Sequence, residues 1–264
     1  MPSTTIPRAE GRALFGLDPA GYDRARPRYP EAVFDMLTGT CGLASGTATL
    51  EIGAGTGIAT RRLVALGASP LVAVEPDPRL ASYLRAQGLP ITVIEAPFET
   101  AALPRGAFML AACATAFHWI DTAIGLARVA DALARGGWWA AWWNIFGDAT
   151  RLDPFHEATR ALLEPLPIGP TGRADDYQID RTARLDDIAR TRAFAQMSAH
   201  EMRWTLELDP PRMRALYATY SSINRLAAGE RERVLDELER IARDEFAGRV
   251  ERNMITAVYL ARRI

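Results

Sequence analysis

The chain has 264 residues, 48% of them hydrophobic and 24% charged, which is ample material for the core of one large or two small domains. Its 31 basic and 32 acidic side chains leave a formal charge of −1, so composition recommends neither nucleic acid nor an anionic membrane as a partner. Every basic residue is arginine, which excludes Schiff-base and lysine-nucleophile chemistry. Cys41 and Cys113 form no metal or redox spacing and read as free thiols of a reducing compartment. The polar amino terminus has no apolar signal-peptide core, and no apolar run is long enough to cross a bilayer, so the expected location is the cytoplasm.

In chain order, strand and helix patterns alternate as in a doubly wound sheet. Thr49 to Gly53 reads as the first strand and runs into Gly53-Ala-Gly-Thr-Gly57. Alternate glycines there let the strand turn sharply and let a ligand touch the main chain. A dinucleotide loop needs its third glycine one position later, where Ile58 stands, so the spacing favours a small adenosyl cofactor over a nicotinamide one. Ile58 to Leu66 follows as a helix. Leu71 to Glu75 is the second strand, and it ends on an acid at the place where a carboxylate can accept ribose hydroxyls. Pro78 to Gln87 is a helix opened by proline and closed by Gly88, Ile91 to Glu95 the third strand, and Ala107 to Ala114 the fourth. Asp121 caps a helix over Thr122 to Ala134, and Gly137 to Trp143 is the fifth strand.

From Asn144 to about Phe194 the pattern becomes helical pieces broken by Pro154, Pro165, Pro167 and Pro170, which reads as a cap of residues 144–195 inserted over the ligand crevice. Gln196 to Leu208 alternates as a strand, Pro211 to Arg225 and Glu230 to Asp244 read as helices, and Val250 to Ala261 is a last strand. Residues 46–143 form the expected cofactor-binding half of a single domain, and 196–264 complete its sheet.

Three segments, Leu50-Glu-Ile-Gly-Ala-Gly-Thr-Gly57, Val72-Ala-Val-Glu-Pro-Asp77 and Ala114-Thr-Ala-Phe-His-Trp-Ile-Asp121, stand in the order and spacing of class I S-adenosylmethionine-dependent methyltransferases. The Phe-His-Trp run, together with Tyr22-Asp-Arg-Ala-Arg-Pro-Arg-Tyr-Pro30, resembles the small-molecule branch that includes trans-aconitate methyltransferases. The specific resemblance covers roughly residues 15–145. It implies an α/β, Rossmann-like, mostly parallel sheet of seven strands with the last antiparallel, an amino-terminal helical arm of residues 1–45 over the cofactor, and S-adenosyl-L-methionine as that cofactor.

Carried over by position, the family pattern sets Gly53, Ala54, Gly55 and Gly57 against the methionyl part of the cofactor, Glu75 on its ribose and Phe98 near its adenine. The implied cofactor set also takes in Glu51, Thr56, Pro76, Pro97, Ala114, Thr115 and Phe117. Tyr22 and Arg26 either meet the cofactor's carboxylate, where a guanidinium makes a bidentate contact, or pack the arm. His118 is either a general base beside the methyl group or a structural histidine. With Trp119, Trp142, Trp143, Asn144, Tyr220 and Arg225 it forms the expected acceptor site. His156 and His200 have no partner at metal spacing, and no metal is expected.

Two positions depart from the family: Met109 stands where an aspartate usually follows the phenylalanine of strand four, and Pro97 where relatives often carry Asp. The function implied is methyl transfer to oxygen, nitrogen or carbon of a small metabolite by a monomer or homodimer. The alternatives are an NAD(P)-dependent oxidoreductase, which would want a Tyr-x-x-x-Lys base that a lysine-free chain lacks, and a catalytically silent cofactor-binding protein.

Overall fold

The computed structural model describes residues 14–166 and 174–264. The start of the expected arm and the expected breaks at Pro167 and Pro170 lie outside the described residues. Seven strands, β1 (Thr47–Ile52), β2 (Ala68–Val74), β3 (Thr92–Ile94), β4 (Phe108–Ala114), β5 (Leu133–Phe146), β6 (Phe194–Leu208) and β7 (Val250–Arg263), form one sheet in the order β3-β2-β1-β4-β5-β7-β6. The first five strands pair in parallel, and β7 runs antiparallel between β5 and β6. Strand order reverses between β1 and β4, which opens a crevice at the carboxyl edge of the sheet.

The helices are α1 (Pro19–Ala25), α2 (Glu31–Gly39), α3 (Ile58–Ala65), α4 (Pro78–Ala86), α5 (Thr122–Ala132), α6 (Pro154–Leu163), α7 (Ala174–Ile179), α8 (Arg181–Arg190), α9 (Pro210–Tyr217), α10 (Ser221–Asn224) and α11 (Ala228–Asp244). Period-two alternation along the central strands supplies the two faces that these helices cover. Trp139, Trp143 and Tyr259 join a core with Leu126 and Val129 of α5 and Ile188 of α8. Trp142, Val258 and Leu260 join the opposite core with Phe34 of α2 and Leu63 of α3. A third core, under α6, α9 and α11, is built on Phe155, Met213 and Leu238.

Aspartates open several helices: the side chains of Asp18, Asp121 and Asp209 accept backbone N–H groups three residues on. Asp153 caps α6 in the same way and also accepts Arg252 Nε at 3.1 Å and the Asn253 amide at 3.0 Å, fastening α6 to β7. Arg252 donates in addition to the Tyr217 hydroxyl of α9.

Two elements differ from the expectation. β5 begins at Leu133 rather than Gly137, because Leu133 is already extended at the end of α5 and pairs with Phe108, and it continues past Trp143 to Phe146 along β7. The single helix expected over Pro211 to Arg225 is two helices. The Thr219 hydroxyl bonds the Leu216 carbonyl at 2.6 Å and Tyr220 is extended, a local competition with helical bonding that threonine favours.

Candidate functional site

The crevice holds a cavity of about 360 Å³, within the range of small-molecule sites. Its floor is the turn between β1 and α3. Gly55 has φ +57°, and a Cβ built on it meets no atom within 4 Å, so a side chain there would stand in the cavity itself. Glu75, buried just beyond the end of β2, fixes this turn: Oε2 accepts the Gly55 amide at 2.8 Å and Oε1 the Asp77 amide at 2.9 Å. A carboxylate is the acceptor that ribose hydroxyls call for.

Beneath the turn lies Glu51, only 1% exposed, with no hydrogen-bond partner for either carboxylate oxygen. Burial pushes its carboxyl up to about 8, the Glu75 charge adds to this, and the Thr60 hydroxyl and Arg61 charge oppose it.

Over the turn lies the segment through α1 that leads to α2. Asp23 Oδ1 accepts Arg61 Nη2 at 2.5 Å and the Thr56 hydroxyl at 3.1 Å, tying α1 to the glycine turn. Gln87 braces the same arginine and accepts its Nη1 at 2.7 Å. Arg26 sits among three rings, its Cζ 5.0 Å from Tyr22, 5.2 Å from Tyr220 and 5.4 Å from Phe146. Its Nη2 donates to the Thr219 carbonyl at 3.1 Å, and its Nε is buried without a partner. The Tyr29 hydroxyl donates at 3.0 Å to Thr115, whose φ of +53° is the left-handed region, at the end of β4.

The far wall is aromatic. His118 lies in a short 3₁₀ turn, Phe117–Trp119, beyond β4, and its Nδ1 accepts the indole N–H of Trp143 at 3.0 Å. An indole nitrogen can only donate, so the neutral ring must carry its proton on Nε2. Burial, with the Arg26 charge as the second cause, holds the imidazole down at about 3. At neutral pH the ring is therefore neutral with its proton on Nε2, a state that favours the structural alternative over the general base. Asn144 lines the same wall, but both ends of its amide are engaged, by the Arg28 carbonyl at 3.3 Å and the Thr256 hydroxyl at 2.7 Å.

Of the expected site residues, Tyr22, Arg26, Glu51, Gly53, Ala54, Gly55, Thr56, Glu75, Pro76, Phe98, Ala114 and Thr115 line the cavity, as do His118, Trp119, Trp143, Asn144 and Tyr220. Five do not. Gly57 packs against α4, where an added Cβ would stand 2.7 Å from Leu84 Cδ1. Pro97 turns its carbonyl to the Ala101 amide at 2.9 Å. Phe117 is buried against Trp139 with ring centroids 4.9 Å apart. Trp142 points to the opposite sheet face, where Tyr29 and Phe34 pack on it. Arg225 is exposed beyond α10.

Met109, where the family carboxylate is missing, is 44% exposed and also outside the cavity lining, so neither departure from the family alters the cavity wall directly. Sequence reasoning missed Phe15, Tyr29, Phe146 and Gln178, which line the cavity, and the Asp23–Arg61 pair that closes the arm on the turn. Tyr29 was within reach, since it is the second tyrosine of the arm motif. Among the described residues no cluster of histidine, cysteine and acidic side chains could hold a metal.

The profile of a methyltransferase domain matches residues 49–137. An uncharacterized methyltransferase of Mycobacterium tuberculosis is 30% identical over 238 residues, 90% of this chain and 88% of the relative. One of Schizosaccharomyces pombe is 25% identical, covering 95% of this chain and 97% of its own length. Among solved structures, a putative type II methyltransferase from Anaeromyxobacter dehalogenans superposes with a TM-score of 0.63 at 21% identity, covering 90% of this chain and 97% of that one. The phosphoethanolamine N-methyltransferase 2 of Haemonchus contortus, solved with S-adenosyl-L-methionine, gives 0.53 at 12% identity, covering 88% of this chain and 52% of that one.

The open approach at Gly55, the acid at Glu75 and the unpaired buried carboxyl of Glu51 all fit that cofactor, which offers a ribose and cationic groups. The chain thus belongs to the class I methyltransferases, enzymes whose methyl donor is S-adenosylmethionine.

Proposed function

We propose that the protein methylates a small molecule held between the arm and the cap, next to the end of β4. The observation that carries this reading is one cavity of about 360 Å³ lined by the glycine turn and Glu75 and also by His118, Trp119 and Trp143. The Haemonchus phosphoethanolamine enzyme, solved also with phosphomonomethylethanolamine, and a geranyl diphosphate C-methyltransferase of Streptomyces coelicolor bear names that specify small acceptors, and both share this fold. The near-neutral charge of the chain supports the same class against a nucleic-acid acceptor. A cytoplasmic place in small-molecule metabolism follows from the same reading, as monomer or homodimer; no described helix is long and apolar enough to cross a membrane.

In this reading Gly53, Ala54, Gly55 and Glu51 hold the methionyl part, Glu75 the ribose, and Phe98 the adenine face. Arg26, kept in its ring cage, offers Nε–H to a carboxylate. The cofactor supplies a methyl group already activated on a sulfonium, so the chain's residues have to align the acceptor and exclude water. Tyr29 and Asp23 hold the arm down, which performs the second task. His118 orients the acceptor through Nε2–H.

The test is incubation with methyl-labelled S-adenosylmethionine and a panel of small acids, phenols and amines. Label in an extractable small product is the expected result. Label found only in added protein or RNA would refute the small-acceptor reading.

A further inference from the structure

The acceptor wall carries two polar poles. One is His118, whose Nδ1 is occupied by the Trp143 indole and whose Nε2 therefore bears the ring proton. The other is Gln178 of α7, which no sequence motif singled out. Its main-chain carbonyl accepts the Tyr259 hydroxyl at 2.7 Å, which pins the residue against β7. The residue is among those lining the cavity, is 9% exposed, and has its side-chain Oε1 buried with no hydrogen-bond partner. A buried carbonyl oxygen without a partner is costly, and a ligand that donates to it removes the cost.

Flat rings stand beside these poles. Trp119, whose ring lies 5.0 Å from the His118 ring, and Trp143 both line the cavity. The acids that line the cavity, Glu51, Glu75 and Glu99, stand on β1 or just beyond the ends of β2 and β3, the cofactor's side.

We propose that this wall selects a planar acceptor by one hydrogen bond given and one taken: His118 Nε2–H donates to the oxygen that receives the methyl group, and Gln178 Oε1 accepts from a second hydroxyl or N–H on the same molecule. The inference rests on the small-acceptor reading above. Because Nε2 already holds its proton, His118 cannot take one from the acceptor, and the receiving oxygen has to arrive ionised. Acidic phenols and enols satisfy this at neutral pH, and simple alcohols do not. A lone pair of that oxygen forms the new carbon–oxygen bond while the carbon–sulfur bond breaks with its electrons left on sulfur. The anion's charge and the sulfonium's charge cancel, and no proton has to move.

The experiment uses the full chain loaded with S-adenosylhomocysteine and two coloured probes that differ by one hydroxyl, 4-nitrophenol and 4-nitrocatechol, titrated by absorbance near neutral pH. Wild type is expected to bind the catechol about tenfold more tightly and to hold it as the coloured anion, the scale of one added hydrogen bond to a buried group. Gln178→Leu should bring the two affinities together, and His118→Leu should lose the anion's colour in the complex. Retained S-adenosylhomocysteine binding by each variant shows that it is folded. Equal affinities in wild type, or a preference that survives Gln178→Leu, would overturn the inference while leaving the small-acceptor reading intact. Failure of both probes to bind, with S-adenosylhomocysteine bound, would overturn the proposed acceptor class, and failure of the whole labelled panel the broader reading.

Discussion

Glu51→Gln should stabilise the free protein, by an amount that depends on pH. The folded-state carboxyl titrates at about 8 against an ordinary value of 4.5, so between those limits the folded chain holds a proton that the unfolded chain has released. Stability contributed by this group is therefore greatest below about 4.5 and falls as pH rises, by about 1.4 kcal/mol per pH unit until the folded-state value is reached. From 4.5 to pH 7 the loss is on the order of 3 kcal/mol. Glutamine has nearly the same shape and no proton to hold, so the variant does not share this slope. At pH 7 it should exceed wild type by up to about 2 kcal/mol, after roughly 1 kcal/mol is deducted for burying an amide whose hydrogen bonds are incomplete.

Urea unfolding of both proteins at pH 5, 6, 7 and 8 gives the comparison, because the other titrating groups are common to both and cancel in the difference. A stability difference independent of pH, or a variant less stable than wild type at every pH, would refute the assignment of a buried, uncompensated acid. The variant should bind S-adenosylmethionine more weakly, an acid that costs stability in the free protein being retained for the cofactor's positive groups.

Gly55→Val should abolish S-adenosylhomocysteine binding by calorimetry, since its side chain enters open cavity space, and should also lower the urea midpoint, since φ +57° strains a β-branched residue. Glu75→Ala removes the acceptor of two backbone amides and should weaken cofactor binding by about 1 to 3 kcal/mol, with the same calorimetric readout. Asp153→Ala strands the buried Arg252 and uncaps α6, so its urea midpoint should fall by the equivalent of about 3 to 5 kcal/mol with cofactor affinity retained. In nitrogen-15 NMR, the His118 ring should show a protonated Nε2, an unprotonated Nδ1 and no ionisation between pH 5 and 8. An Nδ1 proton or a titration in that range would show that Trp143 does not fix the ring.

The strands and the glycine turn were readable because they rest on short-range rules: alternation for Trp139 to Trp143, a run of unbranched main chain for the turn, an acid at the end of β2. What escaped depended on contacts distant in sequence. Trp142 and Trp143 are neighbours with equal chemistry, and only the packing of α2 on one face decides which of them reaches the cavity. Gln178 stands out only when its oxygen is seen to be orphaned, and Asp23 only when Arg61, on another helix, is seen to meet it. The tautomer of His118 was out of reach for the same reason, since it is set by Trp143 on the neighbouring strand β5.

The position of β7 governs the order in which the sheet can assemble during synthesis. β6 pairs only with β7, and β5 has β7 on its outer side, so the strand made last is the one that joins the two. Until the β7 partners Met254 to Arg262 have been made, the outer edge of β5, with Trp142 and Trp143 on it, is an unpaired strand of the kind that recruits other chains, and β6 has no partner at all. The ribosome-bound chain therefore holds Ala141-Trp-Trp-Asn144, with its two tryptophans, in an open state for as long as the 115 residues 145–259 take to appear. At elongation rates of about 5 to 20 residues per second that interval is roughly 6 to 23 seconds, during which this edge is open to pairing with other chains.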